Sequence, residues 1–127
     1  MKLFCSVCLM LSLAGCGSGG GNGGTTGASG VDSSKPLSGL TASEKGKLCD
    51  WNASEAGGYG QTMTCSDGSD ASNDANQAEC VAAIPKCATT VGQFESCTKF
   101  VVTFPLCDQG DKILTATQCS ALAACLK

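Results

Sequence analysis

The chain has neither histidine nor arginine, and these absences exclude more chemistry than any motif adds. A serine or cysteine nucleophile loses its usual base, so Ser-His-Asp and Cys-His sites are impossible. A Ser-Lys pair would need a buried lysine, and no lysine lies in an apolar pattern that would bury it. Positive charge is also scarce: eight lysines face eleven acidic residues, for a net charge of −3. Nucleic-acid recognition begins with a basic patch, and none is present. No apolar run approaches the ~20 residues needed to span a bilayer. The longest, Leu3 to Leu13, is interrupted by Ser6 and Ser12. Aromatics are few, and Trp51 and Phe94 are expected in the core.

What is present begins with an address. Met1 and Lys2 form a positive leader, Leu3 to Leu13 an apolar run, and Ala14 and Gly15 a small-residue closure, which is the grammar of an export signal over residues 1–15. Leu13-Ala14-Gly15-Cys16 resembles the lipobox of bacterial lipoproteins. That resemblance implies cleavage before Cys16 and a diacylglycerol on its sulfur, with the membrane as partner through the acyl chains. Several acyl chains hold a protein on a bilayer where one gives only marginal binding. Cys5 and Cys8 follow Phe4 and Val7, where a lipobox wants a small residue, so only Cys16 fits. Within the family an aspartate after the lipidated cysteine favours inner-membrane retention. Gly17 and Ser18 stand here instead, which implies an outer-membrane or cell-surface location.

After Cys16, positions 17–39 hold nine glycines, five serines and two threonines, with Val31 and Leu37 as the only larger apolar residues besides Pro36. Such a composition predicts a flexible, disordered linker over residues 16–39. A glycine-rich phosphate loop is excluded, because no GK[ST] ending accompanies the glycines.

From Leu40 to Lys127 the composition changes, and cysteine recurs as Cys49, Cys65, Cys80, Cys87, Cys97, Cys107, Cys119 and Cys125. An even set of eight in a small exported segment reads as a framework of four disulfides, since so small a domain has a limited core. The intervals lack the CxxC pairs of a zinc site, and no metal or cofactor is expected. Eight cysteines allow 105 pairings. The sequence does not choose among them, although closure of the last loop suggests Cys107 bonded to a cysteine of the final helix. Four capping-box patterns, Thr41 with Glu44, Asp74 with Gln77, Thr90 with Gln93 and Thr115 with Gln118, predict four helices. These are expected over about 42–56, 75–84, 91–102 and 116–126, giving an all-α, disulfide-rich four-helix domain over residues 40–127. The segments around Cys65 and Cys107 are expected to be irregular.

Three functional readings follow. The first is a non-enzymatic structural or interaction module, displayed on the envelope to an envelope or extracellular protein partner, with Tyr59 between Gly58 and Gly60 as an exposed contact residue. The second is a carrier of a small ligand or lipid in an apolar cavity between helices. The third is a calcium-binding or hydrolytic domain using Asp67, Asp70 and Asp74. Against calcium, Gly68 falls at the second position of an EF-hand-type loop, and Ala78 stands where its glutamate is required. Leu48-Cys49-Asp50-Trp51, Gly57-Gly58-Tyr59-Gly60 and the evenly spaced later cysteines resemble the small cysteine-rich lipoproteins of gliding, predatory soil bacteria. No activity is established for those proteins, so the resemblance carries over no functional residue. Plant lipid-transfer proteins also place eight cysteines on four helices, but their Cys-Cys and Cys-x-Cys are absent here.

Overall fold

The structure is a computed structural model and describes residues 25–127. The leader, Cys16 and positions 17–24 lie outside the described residues. Five α-helices are present: α1 (Ala42–Glu55), α2 (Gln77–Ala83), α3 (Val91–Val101), α4 (Leu106–Thr115) and α5 (Ser120–Cys125). A two-stranded antiparallel hairpin, β1 (Thr62–Thr64) with β2 (Asp70–Ser72), separates α1 from α2. The fold is therefore helical and disulfide-rich without being purely α.

Helix α1 begins at a true capping box. Thr41 Oγ1 accepts the Glu44 amide at 3.2 Å, and the Glu44 carboxylate accepts the Thr41 amide at 2.8 Å. Helix α3 repeats the device with Thr90 and Gln93. The other two expected boxes do not form. α2 is capped by Asn76, whose Oδ1 accepts the Glu79 amide at 3.1 Å, while the Asp74 backbone carbonyl is held by the Gly60 amide at 2.9 Å. Thr115 ends α4, donating its hydroxyl to the Asp111 carbonyl at 2.7 Å, and so starts nothing. The final expected helix is a 3-10 turn, Thr117–Cys119, running into α5.

α3 is the centre of the fold, touching α1, α4, α5 and the 3-10 turn before α5. Its stripe Val91, Cys97 and Val101 is buried, with Phe94 half-buried beside it. Leu48 and Cys49 of α1, Cys80 and Ile84 from α2 and its C-cap, Cys119 and Leu122, and Val31, Leu37 and Leu40 from the N-terminal segment complete the core. Leu126, just beyond α5, is 56% exposed. Gly46, which weakens α1 by propensity, is where α2 approaches. A β-carbon there would lie 3.3 Å from the Gln77 amide nitrogen.

All eight module cysteines are paired: Cys49–Cys80 joins α1 to α2, Cys97–Cys119 joins α3 to the turn before α5, and Cys87–Cys125 ties the loop after α2 to the end of α5. The fourth bond, Cys65–Cys107, corrects the expected pairing of Cys107 within the last loop, for it fastens the hairpin to the first turn of α4. Four bridges in so small a unit fit an oxidising compartment. Among the described residues, no helix is long and apolar enough to cross a membrane.

Three segments differ from expectation. Residues 25–39, read as linker, are packed onto the domain. Val31 and Leu37 are 2% and 0% exposed, and the segment pairs with the approach to α3 through Leu37 N–H to Thr89 O (2.8 Å) and Val91 N–H to Lys35 O (2.9 Å). Its glycines and serines permit close backbone approach where composition suggested slack. The segment around Cys107 is a regular ten-residue helix, with Leu106, Gln109 and Ile113 at helical spacing and Asp108 in its first turn. The segment around Cys65 is the hairpin, whose turn places Gly68 at φ +84°, a conformation only glycine adopts without strain.

Candidate functional site

A cleft of about 220 Å³ opens where α1, α2, α3, α4 and α5 meet. Its walls are mainly apolar: Ile84 at the end of α2, Phe94 and Val101 on α3, Ile113 on α4 and Leu122 on α5. α4 forms one side through Gln109 and Ile113, one helical turn apart. No residue of α4 is fully buried; Ile113 both packs against the core and lines the cleft.

Polar groups sit along one part of the rim: Asn52 from α1, Asn73 and Asp74 from the turn into α2, Thr98 from α3 and Gln109. Some are committed. Thr98 donates its hydroxyl to Asn52 Oδ1 at 3.0 Å. Asn73 donates to the Gly58 carbonyl (2.8 Å) and accepts the Gln61 amide (2.8 Å). Gln109 donates its amide to the Phe104 carbonyl at 3.1 Å. The Asn52 amide nitrogen, the Gln109 side-chain oxygen and the Asp74 carboxyl make no hydrogen bond to another described residue, and all are open to solvent. Burial, and secondarily the negative charge of Glu79, push the Asp74 carboxyl above its ordinary range.

The wall behind Asp74 is braced by a polar network. Tyr59 donates its hydroxyl to Asp50 Oδ1 at 2.9 Å, and the Gln77 amide donates to Asp50 Oδ2 at 2.9 Å. Burial, the hydrogen bond to Asp50 and the charges of Asp50 and Asp74 push the tyrosine up to about 12. Tyr59, expected as an exposed contact residue, is therefore a half-buried structural one. Its polar end is already used.

The Asp67–Asp74 loop does not gather its carboxylates. Asp67 accepts the Ser69 amide and hydroxyl, at 2.9 and 2.6 Å, inside the hairpin turn. Asp70 accepts the Thr64 hydroxyl across the strands at 2.8 Å, and Asp74 lies at the far end by the cleft. Among the described residues, no group of three Asp, Glu, Cys or His side chains is placed to hold a metal ion. Asn52, of the Asn52-Ala53-Ser54 sequence, is half-buried and bonded to Thr98.

A second depression, about 370 Å³, lies beside Cys87–Cys125 and is lined mostly by small side chains such as Ala88, Ala121 and Ala124. It carries no titratable group, and its Thr89 hydroxyl is spent on the Ala121 carbonyl at 2.8 Å. The interhelical cleft is the better site although smaller, since it combines apolar walls with unpartnered polar atoms. Sequence reasoning named Asp74 as a helix cap and as a calcium-binding or hydrolytic residue, and missed Gln109 and Ile113. The Leu106, Gln109, Ile113 spacing was the available signal, and Gly110 in its midst obscured it. No family model, curated protein or solved structure matches the chain.

Proposed function

We propose that this chain is an exported, lipid-anchored and non-catalytic binding module that holds a small, largely apolar ligand in its interhelical cleft. The cleft carries the reading. A purely structural module needs no opening among five helices, whereas about 220 Å³ exceeds the roughly 150 Å³ apolar cavity that takes a benzene molecule. The lack of histidine and the pairing of all eight module cysteines support a binding rather than a chemical role. Lipidation at Cys16 rests on the lipobox and sets the geometry of display. Thr25, the first described residue, is nine positions beyond Cys16. If Cys16 is lipidated, nine residues at no more than ~3.6 Å each would keep the packed segment within about 30 Å of the anchor.

The two isoleucines of the chain, Ile84 and Ile113, both line the cleft, so methyl labelling of isoleucine alone gives two signals that both report on it. Titration of the full-length protein with 2-phenylethanol is expected to shift both signals together and saturably. Absence of any shift with this and related small apolar molecules would overturn the reading.

A further inference from the structure

Granting that the cleft binds a small molecule, the charge and donor pattern of its rim narrows the chemistry. We infer that the ligand is a small protonated amine, its single ring or short aliphatic body against the apolar walls and its ammonium group at Asp74. The volume sets the size: about 220 Å³ accommodates one six-membered ring with two or three further carbons, on the scale of the benzene cavity.

The head group follows from the rim. An ammonium has three N–H donors and no acceptor, and a carboxylate is acceptor-only. Asp74 offers carboxyl oxygens, and Gln109 a carbonyl oxygen, that no described residue uses. No lysine lines the cleft, and the only ion pair among the described residues, Lys35 with Glu44, lies elsewhere. Asp74 is thus a half-buried carboxylate without a counter-ion, beside a second acid, Glu79, whose own carboxylate accepts the Ala75 amide at 2.9 Å. A burial-raised carboxyl gains most from a cation that enters with its hydration replaced. An anionic ligand meets the opposite situation: two acids nearby, no lysine, and only neutral amide donors such as the Asn52 amide nitrogen.

The test compares three probes on the full-length protein, the isosteric pair 2-phenylethylamine and 2-phenylethanol and the slightly larger anion 3-phenylpropionate, read by the Ile84 and Ile113 methyl signals at pH 7. The amine is expected to bind at least tenfold more tightly than the alcohol, and the propionate not measurably. In Asp74→Asn the amine preference should fall to within about twofold of the alcohol, read as the ratio of the two affinities in the same variant. Asp74→Asn retains the backbone carbonyl that holds Gly60, and the wild-type comparison alone decides should the variant fold poorly. Equal binding of amine and alcohol, or tighter binding of the propionate, would overturn the amine assignment while leaving a ligand cleft in place. Failure of all three probes would overturn both.

Discussion

Residues 25–40 contain no α-helix, yet they place Val31 and Leu37 at 2% and 0% exposure, whereas α4 is ten residues of regular helix with none of them buried. The difference lies in what each segment is attached to. The N-terminal segment forms a strap, its backbone bonded to residues far along the chain. The Ala28 and Ser29 amides donate to the carboxylate of Glu95, at 2.9 and 2.8 Å, and Glu95 is only 6% exposed. A charged acceptor for two backbone donors gives charge-assisted bonds, each stronger than a neutral pair. α4 is fixed at its start by Cys65–Cys107 and leans on the cleft through half a stripe of side chains. Internal regularity and firm attachment are separate properties.

The largest test of this contrast is paired truncation. Leu37→Ala removes a fully buried side chain from the strap and should destabilise by about 2–5 kcal/mol. Ile113→Ala on α4 removes a half-buried side chain facing the cleft, and about 1 kcal/mol is expected, since little cavity is created. Urea denaturation followed by circular dichroism measures both. A cost for Leu37→Ala below that for Ile113→Ala would dissolve the comparison and return residues 25–39 to the status of a linker.

A second test asks whether the strap is held by the Glu95 contact itself. A β-carbon on Gly27 would lie 2.5 Å from a Glu95 carboxylate oxygen, so Gly27→Ala must push the carboxylate off the Ala28 and Ser29 amides. Gly27→Ala and Glu95→Ala should each cost roughly 1–3 kcal/mol, the range for leaving partly buried donors unmatched. The double variant should cost clearly less than the sum, because Glu95→Ala removes the clash. Strict additivity would show that the two residues act on stability separately.

These segments also mark where local sequence carried the fold and where it did not. Thr41 with Glu44 and Thr90 with Gln93 are local signals, and both boxes form as expected. Asp74 with Gln77 has the same pattern, but Asn76 is a competing cap two residues on, and the Asp74 backbone is engaged by Gly60. Spacing cannot rank two caps so close together. The even cysteine set was readable as a disulfide framework. The partners of those cysteines were not, because Cys65 meets Cys107 through a hairpin that local signals left unread. The strap was hidden for the same reason: its order comes from Thr89, Val91 and Glu95, more than fifty residues away, while its own composition resembles slack. At the cleft, Asp74 was visible as an acid and the apolar cavity as one of three possibilities. The helix that supplies Gln109 and Ile113 was missed, so the site could not be assembled.

The smallest expected effect concerns the one ion pair that joins the strap to α1, Lys35 Nζ with Glu44, at 2.6 and 2.8 Å to the two carboxylate oxygens. Its short distances invite the view that it clamps the strap, but the two side chains are 34% and 26% exposed. A partly solvated pair contributes at most about 1 kcal/mol, screened by salt. Lys35→Met, which keeps most of the aliphatic stem, should therefore cost less than 1 kcal/mol and leave the Glu95 contact intact. The hydrogen bond from Lys35, followed by that from the Thr41 amide, lowers the Glu44 carboxyl from its ordinary range. An acid depressed in the folded state contributes fully above its unfolded value and loses that contribution as pH falls through its folded one. The wild-type advantage over Lys35→Met should accordingly be complete at pH 7 and shrink on acidification below about pH 4, measured as the difference in urea midpoint between the two proteins. An advantage that persists unchanged into strong acid would assign it to the lysine stem packed on α1. A cost above about 2 kcal/mol at neutral pH would mean that charge, and not the buried Leu37 and the Glu95 bonds, holds the strap in place.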